Sequence, residues 1–199
     1  MKLRSFIAVK IPAEIQHSIL DSTASLQKSL ARPLVRWVEA QNLHLTLKFL
    51  GDVSPESLEQ LDGVLKLELS DQASFDMSVV GLGLFPNPQR PRIIWIGLEA
   101  PSALSTLHHS VDSVATRLGY LPEEHPFSPH LTIGRVGQNT TQADRMKISA
   151  AIKTMSVGNL GMVHVLAVSI FKSDLRTGGP VYTPLHTLRF EHDDRFHSN

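Results

Sequence analysis

Two short stretches carry the residues best suited to chemistry, His44-Leu45-Thr46-Leu47 and His130-Leu131-Thr132-Ile133. An imidazole titrates near neutral pH, so it can both take and give a proton. A threonine hydroxyl two residues on can donate a hydrogen bond to an oxygen where negative charge develops. Both motifs lie in runs of strand formers, and on a strand residues i and i+2 share a face. His44 and Thr46 therefore point one way, while Leu43, Leu45 and Leu47 point into a core. His130 and Thr132 stand likewise against Leu131 and Ile133. Two such strands brought together would ring one pocket with two imidazoles and two hydroxyls. A neutral ring could take a proton from a nucleophile while a protonated ring gave one to a leaving oxygen. The set suits in-line displacement at phosphorus without a metal.

The repetition matters more than either motif. Ten histidines and eleven threonines in 199 residues give about half an H-x-T match by chance. Two H-L-T-[LI] matches in equivalent places exceed that expectation. The surrounding elements make the places equivalent. SFIAVKI (5–11) reads as a strand closed by Pro12, followed by a helix with Ile15, Ile19, Leu26 and Leu30 on one face. Residues 35–53 read as extended, ending in the first motif strand. Pro55 suits the first turn of a second helix carrying Leu58, Leu61, Leu65 and Leu69. A strand over 75–85 and a proline-rich loop over 85–92 follow.

The order then repeats: a strand over 93–99, a helix from about Ser102, the second motif strand, a helix capped by Thr141 or Thr140, and a strand near 161–172. A last strand near 180–191 follows the turn signal DLRTGGP. The histidines are 86 residues apart (130 − 44), close to the offset between the opening strands. The pattern predicts an α+β protein: one bilobal domain over 1–199, its pseudo-symmetric lobes near 1–90 and 91–199 and free to exchange terminal strands. Mainly antiparallel sheets should face a central cleft, with helices on the outside.

Composition narrows the partners. Lys+Arg and Asp+Glu are 19 each, a formal net charge of +0, so a generally basic surface for long nucleic acid is absent. With no cysteine there is no disulfide, thiolate catalysis or cysteine-ligated metal. No apolar run has signal-peptide or membrane-spanning character, so a soluble cytoplasmic protein that does not engage a membrane is expected.

The motifs and their flanks, RWVEAQNLHLTLKFLG (36–51) and FSPHLTIGR (127–135), resemble the two-histidine (2H) phosphoesterase superfamily, and within it the RNA 2′,3′-cyclic phosphodiesterases, historically called 2′-5′ RNA ligases. RSFIAVKIP, GLGLFPNPQRPRIIWIGL and SIFKSDLRTGGPVYTPL share the likeness, which spans nearly the whole chain. The resemblance implies a cofactor-free, metal-independent enzyme, expected as a monomer. It would open a 2′,3′-cyclic phosphate at an RNA 3′ end to a 2′-phosphate. His44 would be the proton donor to the leaving 3′ oxygen, His130 the proton acceptor from water, and Thr46 and Thr132 would hold the phosphate. A reverse, ligase-type reaction is also implied.

Arg135 is an attractive phosphate partner by the same resemblance, yet strict alternation turns it away from His130 unless the strand twists or bulges. Lys48 shares parity with His44 and Thr46, which puts it either on the motif face beside them or simply at the solvated rim. Phe6, Phe49, Phe85, Trp37 and Trp95 are candidates to stack on a base. His108 and His109 are neighbours pointing apart on a helix. His125 precedes the second motif, and His17, His164, His186, His192 and His197 lack supporting context, so no metal site is expected. The rival readings are a small cyclic nucleotide or ADP-ribose cyclic phosphate as substrate, with loops 85–92 and 121–129 setting the difference, and an RNA-end binding module without turnover.

Overall fold

The LRSFIAVK run forms β1 (Leu3–Lys10), Pro12 closes it, and α1 (Ala13–Ser29) turns Ile15, Ile19 and Leu26 inward. The structure, a computed structural model, describes residues 2–123, 125–177 and 179–190. A short strand, β2 (Val35–Trp37), and a 3-10 turn at Ala40–Asn42 lead into β3 (His44–Val53). The Ser54 hydroxyl accepts from the Ser57 amide and starts α2 (Pro55–Glu68), with Pro55 in its first turn. Then come β4 (Phe75–Phe85), β5 (Ile93–Glu99), α3 (Ser102–Arg117) and β6 (His130–Val136). Thr141, rather than Thr140, caps α4 (Gln142–Thr154) in a reciprocal box with Asp144. The chain continues through β7 (Asn159–Val165), β8 (Ala167–Arg176) and β9 (Gly179–Arg189). His192 and His197 lie outside the described residues.

One curled sheet runs β7-β4-β5-β6-β3-β1-β8-β9, with β2 beside β6, and every described pairing is antiparallel. The two motif strands are neighbours at its centre, joined by the single registered pair Leu45–Leu131. The α+β fold with antiparallel strands is as expected, and the two halves are joined through this pair into one continuous curled sheet. Each half sends its last strand across: β4 pairs with β5, and β8 pairs with β1.

The strand expected over 161–172 is two strands. β7 pairs with β4 and β8 with β1, and only Leu166 lies between them. Because β7 heads the strand order and β8 stands near its other end, this one-residue joint requires the sheet to curl. The Leu166 carbonyl accepts the Phe190 amide at 2.9 Å. A run of alternating apolar residues records that a strand exists but not where it changes partner.

Alternation sorts the two faces. Ile7 and Val9 of β1 join Leu45, Leu131, the α2 leucines and Leu104, Leu107 and Val111 of α3 in the main core. Phe6 and Ala8, on the other face, pack with Phe171 and Tyr182 in a small separate cluster. Among the described residues no helix is long and apolar enough to cross a membrane.

Candidate active site

His44, Thr46, His130 and Thr132 all line one cleft of about 930 Å³ on the face opposite the main core. Their partners Leu45 and Leu131 are buried, as the i, i+2 pattern requires. Each histidine is oriented in the same way. Nδ1 of His44 donates to the Asn42 carbonyl and Nδ1 of His130 to the Ser128 carbonyl, both at 2.7 Å. A carbonyl only accepts, so the proton of the neutral ring stays on Nδ1 and Nε2 is the nitrogen left for chemistry. Asn42 and Ser128 both stand two residues before their histidine, so the orienting contact is duplicated with the motif.

The surroundings differ more than the motifs. Phe6 lies 4.8 Å from the His44 ring and Tyr182 meets it edge-on at 5.1 Å, while Phe85 meets His130 edge-on at 4.9 Å. Burial holds the His44 pKa below its ordinary value; the hydrogen bond to Asn42 opposes this, and the charges of Arg135 and His130 add to it. Asn42 itself donates Nδ2 to the Pro180 carbonyl at 2.9 Å, tying His44's orientation to the β8–β9 hairpin.

A β-bulge decides the orientation of Arg135. On β5, Trp95 pairs with Thr132 and Ile94 with Gly134, so Ile133 is an extra residue that resets the alternation. Arg135 consequently lines the cleft. The extra residue needs a tight neighbour: a Cβ on Gly134 would stand 2.9 Å from Val35 Cγ1 and 3.0 Å from the Trp37 ring.

The equivalent bulge in β3 overturns the expectation for Lys48. Ile7 pairs with Lys48 and Ala8 with Thr46, leaving Leu47 extra. Lys48 therefore turns inward, is 0% exposed, and donates to Asp112 Oδ1 (2.5 Å) and the Leu121 carbonyl (2.7 Å). It anchors the loop before the second motif instead of sitting at a solvated rim.

Of the aromatic candidates, Phe6, Trp37 and Phe49 line the cleft, and Phe49 is 61% exposed there. Trp37 is held by its indole donating to the Leu30 carbonyl. Phe85 packs against His130 and Trp95 against Phe85, and neither is among the lining residues. Sequence reasoning missed Tyr182, Asn42, Arg4 and Arg36; the stretches PVYTPL and RWVEAQN contained three of them, but nothing in their spacing distinguished them.

The remaining described histidines lie elsewhere. His108 stacks on Phe127 (centroids 3.9 Å apart), His164 binds Asp76, and His17, His109 and His125 do not line the cleft. Among the described residues, the group of three metal-capable side chains is Glu59, Asp62 and His186, joining α2 to β9 outside the cleft. Lys66 already pairs with Asp62 there at 2.6 Å.

The family model described as "LigT like Phosphoesterase" matches this chain twice, over residues 9–95 and 96–182. The chain belongs to that family. The tandem match divides at the duplication, giving each LigT-like unit one H-x-T motif. A curated relative, the RNA 2′,3′-cyclic phosphodiesterase of Methanothermobacter thermautotrophicus, is 35% identical over 191 residues, covering 95% of this chain and 100% of that protein. The Escherichia coli protein of the same name is 31% identical over 92% of this chain and 93% of its own.

Solved LigT-like structures share the fold. E. coli LigT complexed with 3′-AMP superposes with a TM-score of 0.73 at 27% identity, covering 96% of this chain and 100% of that one. A Thermus thermophilus protein gives 0.76 at 26% identity, covering 95% and 100%.

Proposed function

We propose that this LigT-like protein hydrolyses the 2′,3′-cyclic phosphate at an RNA 3′ end to a 2′-phosphate, using His44 and His130 as its acid and base. Water attacks phosphorus as His130 Nε2 takes its proton. The bond from phosphorus to O3′ breaks, and O3′ receives the proton carried on His44 Nε2. Thr46 and Thr132 hold the non-bridging oxygens, and Arg135 meets the phosphate charge. The product is a 2′-phosphate beside a free 3′ hydroxyl, and each histidine ends in the other's starting protonation state. With a 5′ hydroxyl in place of water as the attacking group, the same acid and base would join two ends through a 2′-5′ bond, O3′ again leaving with the His44 proton.

The observation that carries this reading is the convergence of both H-x-T motifs on one cleft, with both Nδ1 atoms engaged by carbonyls. Curated relatives of the same length bear the name RNA 2′,3′-cyclic phosphodiesterase. His44 needs its proton at the start, and burial works against that. The anionic phosphate supplies the compensating charge on arrival. Both rings come from one chain, so a monomer suffices, and no step requires a metal.

The test is an RNA ending in a 2′,3′-cyclic phosphate, incubated with the protein in excess chelator. A product mapping as 2′-phosphate supports the reading. A 3′-phosphate product, or hydrolysis abolished by the chelator, overturns it.

A further inference from the structure

Five guanidinium groups line the cleft, those of Arg4, Arg32, Arg36, Arg135 and Arg176, against the two carboxylates of Glu39 and Asp52. No lysine joins them, and the whole chain has a formal net charge of +0. Positive charge is therefore concentrated on this face. Among the described residues, none of the five guanidinium groups forms a salt bridge or hydrogen bond. Arginine forks match phosphate oxygens and are the side chains of choice for that contact.

One cyclic phosphate brings a single negative charge, and Arg135 stands ready for it. The other arginines exceed that need, and one is placed at a cost. Arg36 is the direct cross-strand partner of Arg135 on the β2–β6 ladder, and like charges opposed in this way repel. An anion between or beside them relieves the repulsion. Arg4 enters from β1, and its charge reaches the Tyr182 phenol together with those of Arg135 and Arg36. The three thus converge on one part of the cleft. Its volume of about 930 Å³ is large for a single nucleotide site, near the top of the roughly 300–1,000 Å³ range of small-ligand pockets.

We propose that Arg36 and Arg4 form a second anion subsite for the phosphodiester on the 5′ side of the terminal nucleotide. The cleft thereby selects a cyclic-ended RNA chain over a free cyclic mononucleotide. This inference rests on the phosphodiesterase reading above.

Three substrates with the same terminal adenosine test it: 2′,3′-cyclic AMP, ApA ending in a 2′,3′-cyclic phosphate, and the same dinucleotide with an uncharged methylphosphonate linkage. The wild type is expected to favour the charged dinucleotide over the methylphosphonate by about tenfold in kcat/KM, the worth of one charge-assisted contact. The R4Q/R36Q double variant is expected to lose that difference. Both side chains are exposed, and its melting temperature is expected near that of the wild type, because loss of the Arg36–Arg135 repulsion is offset by loss of the Arg4 charge opposite Asp52. Equal kcat/KM on the two dinucleotides in the wild type, or a difference surviving in the double variant, overturns the subsite and leaves the phosphodiesterase reading intact. Turnover of none of the three sinks that reading and the subsite with it.

Discussion

Phe49 and Arg135 occupy equivalent positions in the two halves, each three residues beyond its motif threonine and 86 residues apart (135 − 49), the spacing of the two histidines. Each reaches the cleft because a bulge precedes it, at Leu47 in β3 and at Ile133 in β6. The bulge places an exposed ring on one half and a guanidinium on the other. A cleft with pseudo-symmetric catalytic groups is chemically two-sided, which lets two identical motifs serve opposite ends of a proton transfer.

Removing either imidazole tests the shared labour. H44A and H130A are each expected to lower kcat by about 10²–10⁴-fold, the range of a single proton-transfer group. Rapid-quench single-turnover assays and thermal melts separate this from unfolding. A folded variant turning over at the wild-type rate refutes the assignment.

The Arg135 charge gives a pH test with a definite sign. It helps depress the His44 pKa, and as a donor His44 works only while protonated, so kcat/KM falls as pH rises through that pKa. R135Q removes the depressing charge. Its alkaline limb is expected to move to higher pH even as the overall rate drops, whereas R135K keeps the limb in place. A limb that moves down, or stays fixed in R135Q, contradicts the coupling.

Gly134 is expected to resist even alanine. The added Cβ meets Val35 and the Trp37 ring at about 3 Å, so the bulge must distort. G134A is expected to cost about 1–3 kcal/mol in denaturant melts, the range for overpacking, and to raise KM by displacing Arg135. Unchanged stability and KM would show the bulge to be tolerant.

Lys48 is a buried charge whose pair holds the approach to the second motif. K48M leaves Asp112 and the Leu121 carbonyl without their donor, and a loss of about 3 kcal/mol is expected by urea unfolding, the low end for a broken buried pair because Asp112 is partly exposed. A variant as stable as the wild type would assign Lys48 no structural role.

What the sequence disclosed and what it withheld follow the range of each interaction. Apolar periodicity and caps are local, so the helices, the motif strands and the facing of His44, Thr46, His130 and Thr132 were legible before any coordinates. Register is not local. Whether Lys48 and Arg135 faced the core or the cleft depended on Leu47 and Ile133 slipping out of pairing with β1 and β5, which parity counting cannot see. The joint at Leu166 was hidden for the same reason. Arg4 and Tyr182 come from strands far from either motif in sequence, and long-range pairing brings them to the histidines: β1 lies directly beside β3, with β8 and then β9 beyond it.

The central claim is that both imidazoles act on one phosphorus atom, and a crystal structure with a nucleoside 2′-phosphate bound tests it most directly. Phosphate oxygens are expected within about 2.6–3.2 Å of Nε2 on both His44 and His130. A phosphate reached by only one ring, or seated outside their shared cleft, would contradict the mechanism.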